Sequence, residues 1–257
     1  MSAIAIEILS DGIILAADGV CYEYETGAVR GFASKLIACP ELDCAIGWTG
    51  VSDFGRALYL EIGDWFEDFD HFTDNLEDVA RNTHHAFMER HDLYDHPTRR
   101  GDVSVVVAGW SNREQKYTGY RVFSYPKATL NMATGETIDN EPWTAIRLPE
   151  FWCSYAPAKE FMDACGMEDP NSVPVGELAP RMICAARAAS GIVPHEVTGE
   201  PQVFNAGCFL QMVQVQRGNI HTWIAHRWPE DEIGAQIDPT KGELLPDWLM
   251  RKETVDG

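Results

Sequence analysis

Basic residues are scarce in this chain. Its 257 residues carry 20 Lys and Arg against 40 Asp and Glu, a formal net charge of -20. A surface of that sign repels a phosphate backbone, so nucleic acid is not an expected partner. Acidity of this order bears mainly on solubility. Long apolar runs are missing too. No stretch is long enough to span a bilayer, and no secretory signal is recognisable, so no membrane partner is expected. The seven cysteines (Cys21, Cys39, Cys44, Cys153, Cys165, Cys184 and Cys208) are odd in number, and none has CxxC spacing. That pattern predicts reduced thiols in a cytoplasmic protein. There is no Pro/Gly/Ser-rich linker, internal repeat or low-complexity tract. The expected organisation is therefore one domain over 1–227, with 125–150 as an insertion, followed by an acidic, Pro-containing arm over 228–257. Hydrophobic residues make up 45% of the chain, enough for a substantial core.

What is present reads as strands and helices in a regular order. AIAIEIL (3–9) and IILAA (13–17) are two short apolar runs split by Ser10-Asp11-Gly12, a good hairpin signal. SKLIAC (34–39) and DCAIGW (43–48) predict a second hairpin that turns near Pro40-Glu41-Leu42. A helix is expected from Ser52-Asp53, with Ser52 as its cap and Phe54, Leu58, Leu60, Ile62, Trp65 and Phe66 along it. A second helix is expected over 73–91, with Leu76, Val79, Ala80 and Ala86-Phe87 inward. Strands return at 103–109 and 117–124, with another at 143–148. Helices follow near 156–166 and 176–190, and a last hairpin joins 208–216 to 220–225. Strands, two helices, strands, two helices, strands is the order of stacked sheets covered by helices, an α+β sandwich.

Several stretches carry a resemblance. IEILSDGIILAADG followed by SKLIACPELDCAIGWTGVSDFGRAL resembles the start of proteasome β subunits and of the bacterial proteasome-like heat-shock protease. VSVVVAGWSNREQKYTGYRVFS resembles that family's central hairpin, and AGCFLQMVQVQRGNI its late one. The resemblance covers most of residues 2–225. It implies an N-terminal nucleophile hydrolase with a four-layer αββα sandwich, which cuts amide bonds in peptides and uses no cofactor or metal. It also implies a homo-oligomer, a ring enclosing its active sites, with a peptide or protein substrate and an unfoldase as a further partner. The helix over 52–66, with Trp65 and Phe66, is where subunits would pack.

The resemblance also assigns residues. The family's nucleophile is the first residue of the mature chain, and counting back from Asp18 places it at Ser2. A serine hydroxyl needs a nearby base. A free α-amine, with a pKa of about 7.7–8.0, supplies one from the same residue once Met1 is removed. Lys35, in Ser34-Lys35-Leu36-Ile37, matches the catalytic lysine, one residue further from Asp18 than usual. A buried ammonium there would stabilise the alkoxide, with Asp18 as its partner. Thr49-Gly50 matches the oxyanion turn, and either residue is a candidate for the backbone donor. Two family positions differ. Where the family has Asp and Ser, this chain has Val203 and Ala206, in Val203-Phe204-Asn205-Ala206-Gly207. Asn205 is a partial substitute, and Ser154 stands for another supporting serine without its flanking glycines. These departures keep two other functions in view: a catalytically silent structural or assembly subunit, and a hydrolase of non-peptide amides.

Other clusters read as structural. His84, His85, His91 and His96 in HHAFMERHDLYDH lack close metal-ligand spacing and are expected at a solvated helix end. The acidic run Asp64 to Asp70 lacks a calcium-loop pattern and reads as a charged helix rim. Cys21 has no evident base beside it and is expected to be an inert thiol. Ser190-Gly191 is not a Gly-x-Ser-x-Gly elbow.

Overall fold

The structure, a computed structural model, describes residues 3–23, 25–63, 65–91, 101–130, 137–194 and 201–250. It is a mixed α and β structure with several antiparallel sheets and, among those residues, six α-helices. The strands are β1 (Ile4–Ile8), β2 (Ile13–Asp18), β3 (Val20–Tyr22), β4 (Val29–Phe32), β5 (Leu36–Cys39), β6 (Cys44–Gly50), β7 (Val103–Ser111), β8 (Lys116–Phe123), β9 (Lys127–Leu130), β10 (Thr137–Asn140), β11 (Ile146–Arg147), β12 (Phe151–Cys153), β13 (Gly191–Pro194), β14 (Pro201–Phe204), β15 (Phe209–Gln216) and β16 (Asn219–Arg227). The helices are α1 (Phe54–Ile62), α2 (Phe69–Asp74), α3 (Leu76–Arg90), α4 (Lys159–Ala164), α5 (Leu178–Ala188) and α6 (Asp247–Met250). One five-stranded sheet runs β12-β1-β2-β15-β16 and the other β11-β8-β7-β6-β5; β3-β4, β9-β10 and β13-β14 are two-stranded ribbons. No helix among the described residues is long and apolar enough to cross a membrane.

Strand periodicity sorts the core. Successive side chains of a strand point to opposite faces. In β1 and β2, Ile4, Ile6, Ile13, Leu15 and Ala17 join one cluster with Leu36, Ala45, Val106, Ala108, Val213 and Val215, drawn from both five-stranded sheets. Their neighbours Ala5, Ile14 and Ala16 join another, with Ala179, Ile183 and Cys184 of α5. In the second sheet, Ile46, Trp48, Val103, Val105 and Val107 instead meet Phe54 and Leu58 of α1, Phe69 and Phe72 of α2, and Leu76 and Ala80 of α3. Both faces of these strands are buried, so β2 is apolar from Ile13 to Ala17 and does not alternate.

Several sequence expectations shift. α1 begins at Phe54, after Asp53, with no side-chain cap, while the Ser52 carbonyl accepts the Trp48 indole N–H at 2.9 Å. α1 stops at Gly63 (φ 40°); Leu60 within it and Trp65 beyond it are exposed. The helix expected over 73–91 is α3, which starts at Leu76, while 73–74 end the separate short helix α2. Asn75 closes α2 by donating its N–H to Phe72 O at 3.1 Å and its Nδ2 to His71 O at 2.9 Å. Ala86 faces solvent, and Met88 is buried in its place. Residues 228–250 lie against the body: Trp228, Asp231, Ile237 and Leu249 are buried. Arg181 of α5 reaches across to donate to Leu249 O at 2.6 Å.

Candidate active site at the Asp18–Lys35 pair

Asp18 is the last residue of β2, opposite Leu210 of β15, and is fully buried. An isolated carboxylate there would be costly, and three donors meet it. Its Oδ1 accepts the Ala3 N–H at 2.7 Å, and its Oδ2 accepts the Val20 N–H at 3.0 Å and the Lys35 ammonium at 2.6 Å. The Lys35 side chain is 7% exposed. Among the described residues, Asp18 is the only hydrogen-bond partner of its ammonium. The pair thus joins the end of one sheet to the start of β5 in the other, and ties both to the backbone of Ala3. Ser2, the preceding residue, lies outside the described residues, as does Met1.

The Trp48 N–H donates to Lys35 O at 3.2 Å, and Thr49 and Gly50 follow it on β6, opposite Ser104 and Val103 of β7. Gly50 has φ of 101°, and a Cβ there would run into the Asp102 carbonyl oxygen, so only glycine fits this turn. The Ser154 Oγ accepts the Ile4 N–H at 2.9 Å, and its own N–H donates to Ile4 O at 2.8 Å, which braces β1 two residues beyond Ser2. Asn205 is buried, and its Nδ2 donates to Gly27 O at 2.7 Å, so that amide is committed to Gly27. Val203 and Ala206 bring no polar side chain. Ala206 is instead fixed by Ser190 Oγ, which accepts its N–H at 3.0 Å.

Two polar groups were missed from the sequence. Gln211 of β15 is buried, and its Oε1 accepts Lys35 N–H at 3.1 Å and Leu36 N–H at 3.2 Å. Its Nε2 donates to Leu36 O at 3.0 Å. The available signal was a glutamine in register with the core residues Val213 and Val215. The second group is the Arg187–Asp231 pair, 2.8 Å apart, with both side chains 1% exposed. Asp231 Oδ2 accepts the Cys208 N–H at 2.7 Å, and the Arg187 guanidinium lies 5.1 Å from the Trp228 ring centroid. The bond to Asp231 helps hold Cys208 at φ 66°, unusual for a residue other than glycine. Next to it, Gly207 O and Phe209 O both accept the Gly19 N–H, at 3.0 and 2.9 Å. Burial pushes the Cys208 thiol up to about 12, with the Asp231 and Asp18 charges adding to it. Burial also raises the Cys21 thiol, so neither is a ready nucleophile. All seven cysteines are free.

The remaining clusters have structural partners. His84 is half-buried, not solvated. Its Nε2 lies 2.7 Å from Gly101 O, and its ring is 5.1 Å from that of Trp143. Burial holds its pKa below the ordinary histidine value. His96 lies outside the described residues. Asp68 caps α2 by accepting the His71 N–H at 2.9 Å, and Asp70 accepts Ser111 Oγ–H and Arg113 N–H, each at 2.7 Å. Asp70 of the acidic run therefore docks on the β7–β8 turn, while Asp64 lies outside the described residues. Two surface grooves, one beside Ile14, Gly176 and Gln214 and one beside Glu41, Tyr59 and Leu60, are lined by neither Asp18 nor Lys35. No protein-family model matches the chain, and no curated protein does.

Proposed function

We propose that this protein is an N-terminal nucleophile amide hydrolase of the proteasome-β type, a four-layer αββα sandwich in which Ser2 attacks once Met1 has been removed. The observation that carries this reading is the buried Asp18 carboxylate. It holds the Ala3 N–H on one oxygen and the Lys35 ammonium on the other, so the residue after Ser2 and a buried cation share one anchor.

The chemistry follows from those groups. The α-amine of Ser2, partly neutral near pH 7, takes the hydroxyl proton directly or through one water. The Lys35 ammonium stabilises the alkoxide and disfavours protonation of the neighbouring amine. Asp18 gives the Lys35 ammonium its counter-charge, 2.6 Å away, inside the buried site. Attack on an amide carbonyl gives a tetrahedral oxyanion, which a backbone N–H of the Thr49–Gly50 turn would receive. Such a donor is worth about 2.7–4 kcal/mol. The amine then returns its proton to the leaving nitrogen, and water releases the acyl group from Ser2.

A second reading, a catalytically silent subunit of the same fold, is favoured by Val203, Ala206 and the commitment of Asn205 to Gly27. Intact mass of protein from its own cells, followed by labelling with an electrophilic lactone or epoxyketone, separates the two. Loss of Met1 and labelling that disappears in Ser2→Ala support the hydrolase. Retained Met1, or labelling unchanged in Ser2→Ala, removes it.

A further inference from the structure

We infer that Gln211 is the positioning residue for Lys35, acting as a substitute strand on the open edge of β5; this rests on the role proposed above for Lys35. β5 is the last strand of its sheet. Because the Trp48 N–H donates to Lys35 O, the adjacent pair Leu36–Gly47 is a non-hydrogen-bonded one. Its Leu36 N–H and C=O therefore point away from β6, towards an empty edge. Buried peptide groups need partners. The Gln211 carboxamide gives both, with Oε1 accepting Leu36 N–H at 3.2 Å and Nε2 donating to Leu36 O at 3.0 Å. These are the two bonds that a residue of a further antiparallel strand would make.

The same oxygen continues along the chain. It accepts the Lys35 N–H at 3.1 Å and lies 2.9 Å from Ser34 Oγ. Gln211 therefore grips three consecutive residues centred on Lys35. Its own backbone lies on β15 opposite Ala17, the residue before Asp18, while Leu210 lies opposite Asp18 itself. One short piece of β15 thus sets the position of both partners: Asp18 by strand register and Lys35 by side-chain bonds. A hydrophobic residue at 211 would fill the core, yet leave the Leu36 N–H unpaired, with only the Ser34 hydroxyl, 2.8 Å from Leu36 O, still bonded to that peptide, and Lys35 free to slide along the sheet edge.

The test compares Gln211→Leu and Gln211→Glu with the parent protein. The readouts are the Lys35 Nζ resonance in lysine-¹⁵N-labelled protein and the rate of Ser2 labelling by the electrophilic probe. In Gln211→Leu the Lys35 resonance should move, and labelling should fall about a hundredfold, the cost of misplacing a reacting group by about 1 Å. In Gln211→Glu the protonated acid reproduces the carboxamide, with its hydroxyl donating to Leu36 O. The ionised form opposes that carbonyl and adds a charge beside Lys35 and Asp18. The Lys35 resonance should therefore match the parent in acid and depart as pH rises, a rescue that simple core filling would not give. An unchanged Lys35 resonance in Gln211→Leu overturns the inference. If that variant does not fold, a pH-independent resonance in Gln211→Glu overturns it. A resonance that moves in protein that never labels upholds the positioning role and rejects the hydrolase.

Discussion

Removing one partner from the Asp18–Lys35 pair should hurt more than removing both. Asp18 is 0% exposed and the Lys35 side chain 7%, so neither charge can turn to water. Breaking a buried pair from one side costs about 3–5 kcal/mol. In Lys35→Met the carboxylate keeps the Ala3 and Val20 N–H donors, which places that variant near the lower end, at about 3 kcal/mol. In Asp18→Asn the ammonium keeps no anion, which places that variant near the upper end, at about 5 kcal/mol. The double variant buries no charge and should lose only about 1–3 kcal/mol, so the cycle should be non-additive by several kcal/mol. Urea unfolding of the three variants reads the cycle. Costs that add to within about 0.5 kcal/mol would refute the reasoning.

Two further outcomes follow from the site's surroundings. Gly50→Ala puts a methyl against the Asp102 carbonyl at φ 101°, so it should lower stability by more than about 1 kcal/mol and reduce labelling; an unchanged melting temperature would remove the argument from this turn. His84 has a pKa held down by burial, so the folded state should lose stability as pH falls below about 6.5, where the unfolded chain takes up the proton first. His84→Gln should flatten that slope, and urea midpoints at about pH 5 and pH 7 would show an undiminished slope if His84 were not its source.

The strand pattern was largely legible because the chain marks it with residue type. Asp11-Gly12 and Pro40 announce turns, and the apolar runs beside them are β1, β2, β5 and β6 within a residue or two of their expected ends. The helix ends were less legible. Asn75 interrupts a helix by bonding its own preceding turn, and an asparagine in a polar run carries no mark of that choice. In the site, Asp18 and Lys35 were both readable, and the structure places them in contact. Gln211 and Asp231 were not, because each acts on a peptide group far away in sequence. Gln211 looks like an ordinary polar residue of an amphipathic strand until β5 is seen to end without a neighbour. Arg187 looks like a surface charge in a helix of small residues until Trp228 and Asp231 fold over it.

The place of β2 in its sheet has a consequence for synthesis. Residues 13–18 lie between β1 and β15, and the latter is about two hundred residues further along the chain. The other sheet joins β5, β6, β7 and β8 through neighbours in chain order, so a ribosome can release those strands and let them pair as they come. The first sheet has to wait: its earliest hairpin leaves the exit tunnel with one edge unpaired until residues 209–216 emerge. The Asp18 end of the ion pair is therefore fixed late, after most of the chain has been made. A chain truncated before β15 would retain both Asp18 and Lys35, but not the strand that brings them together.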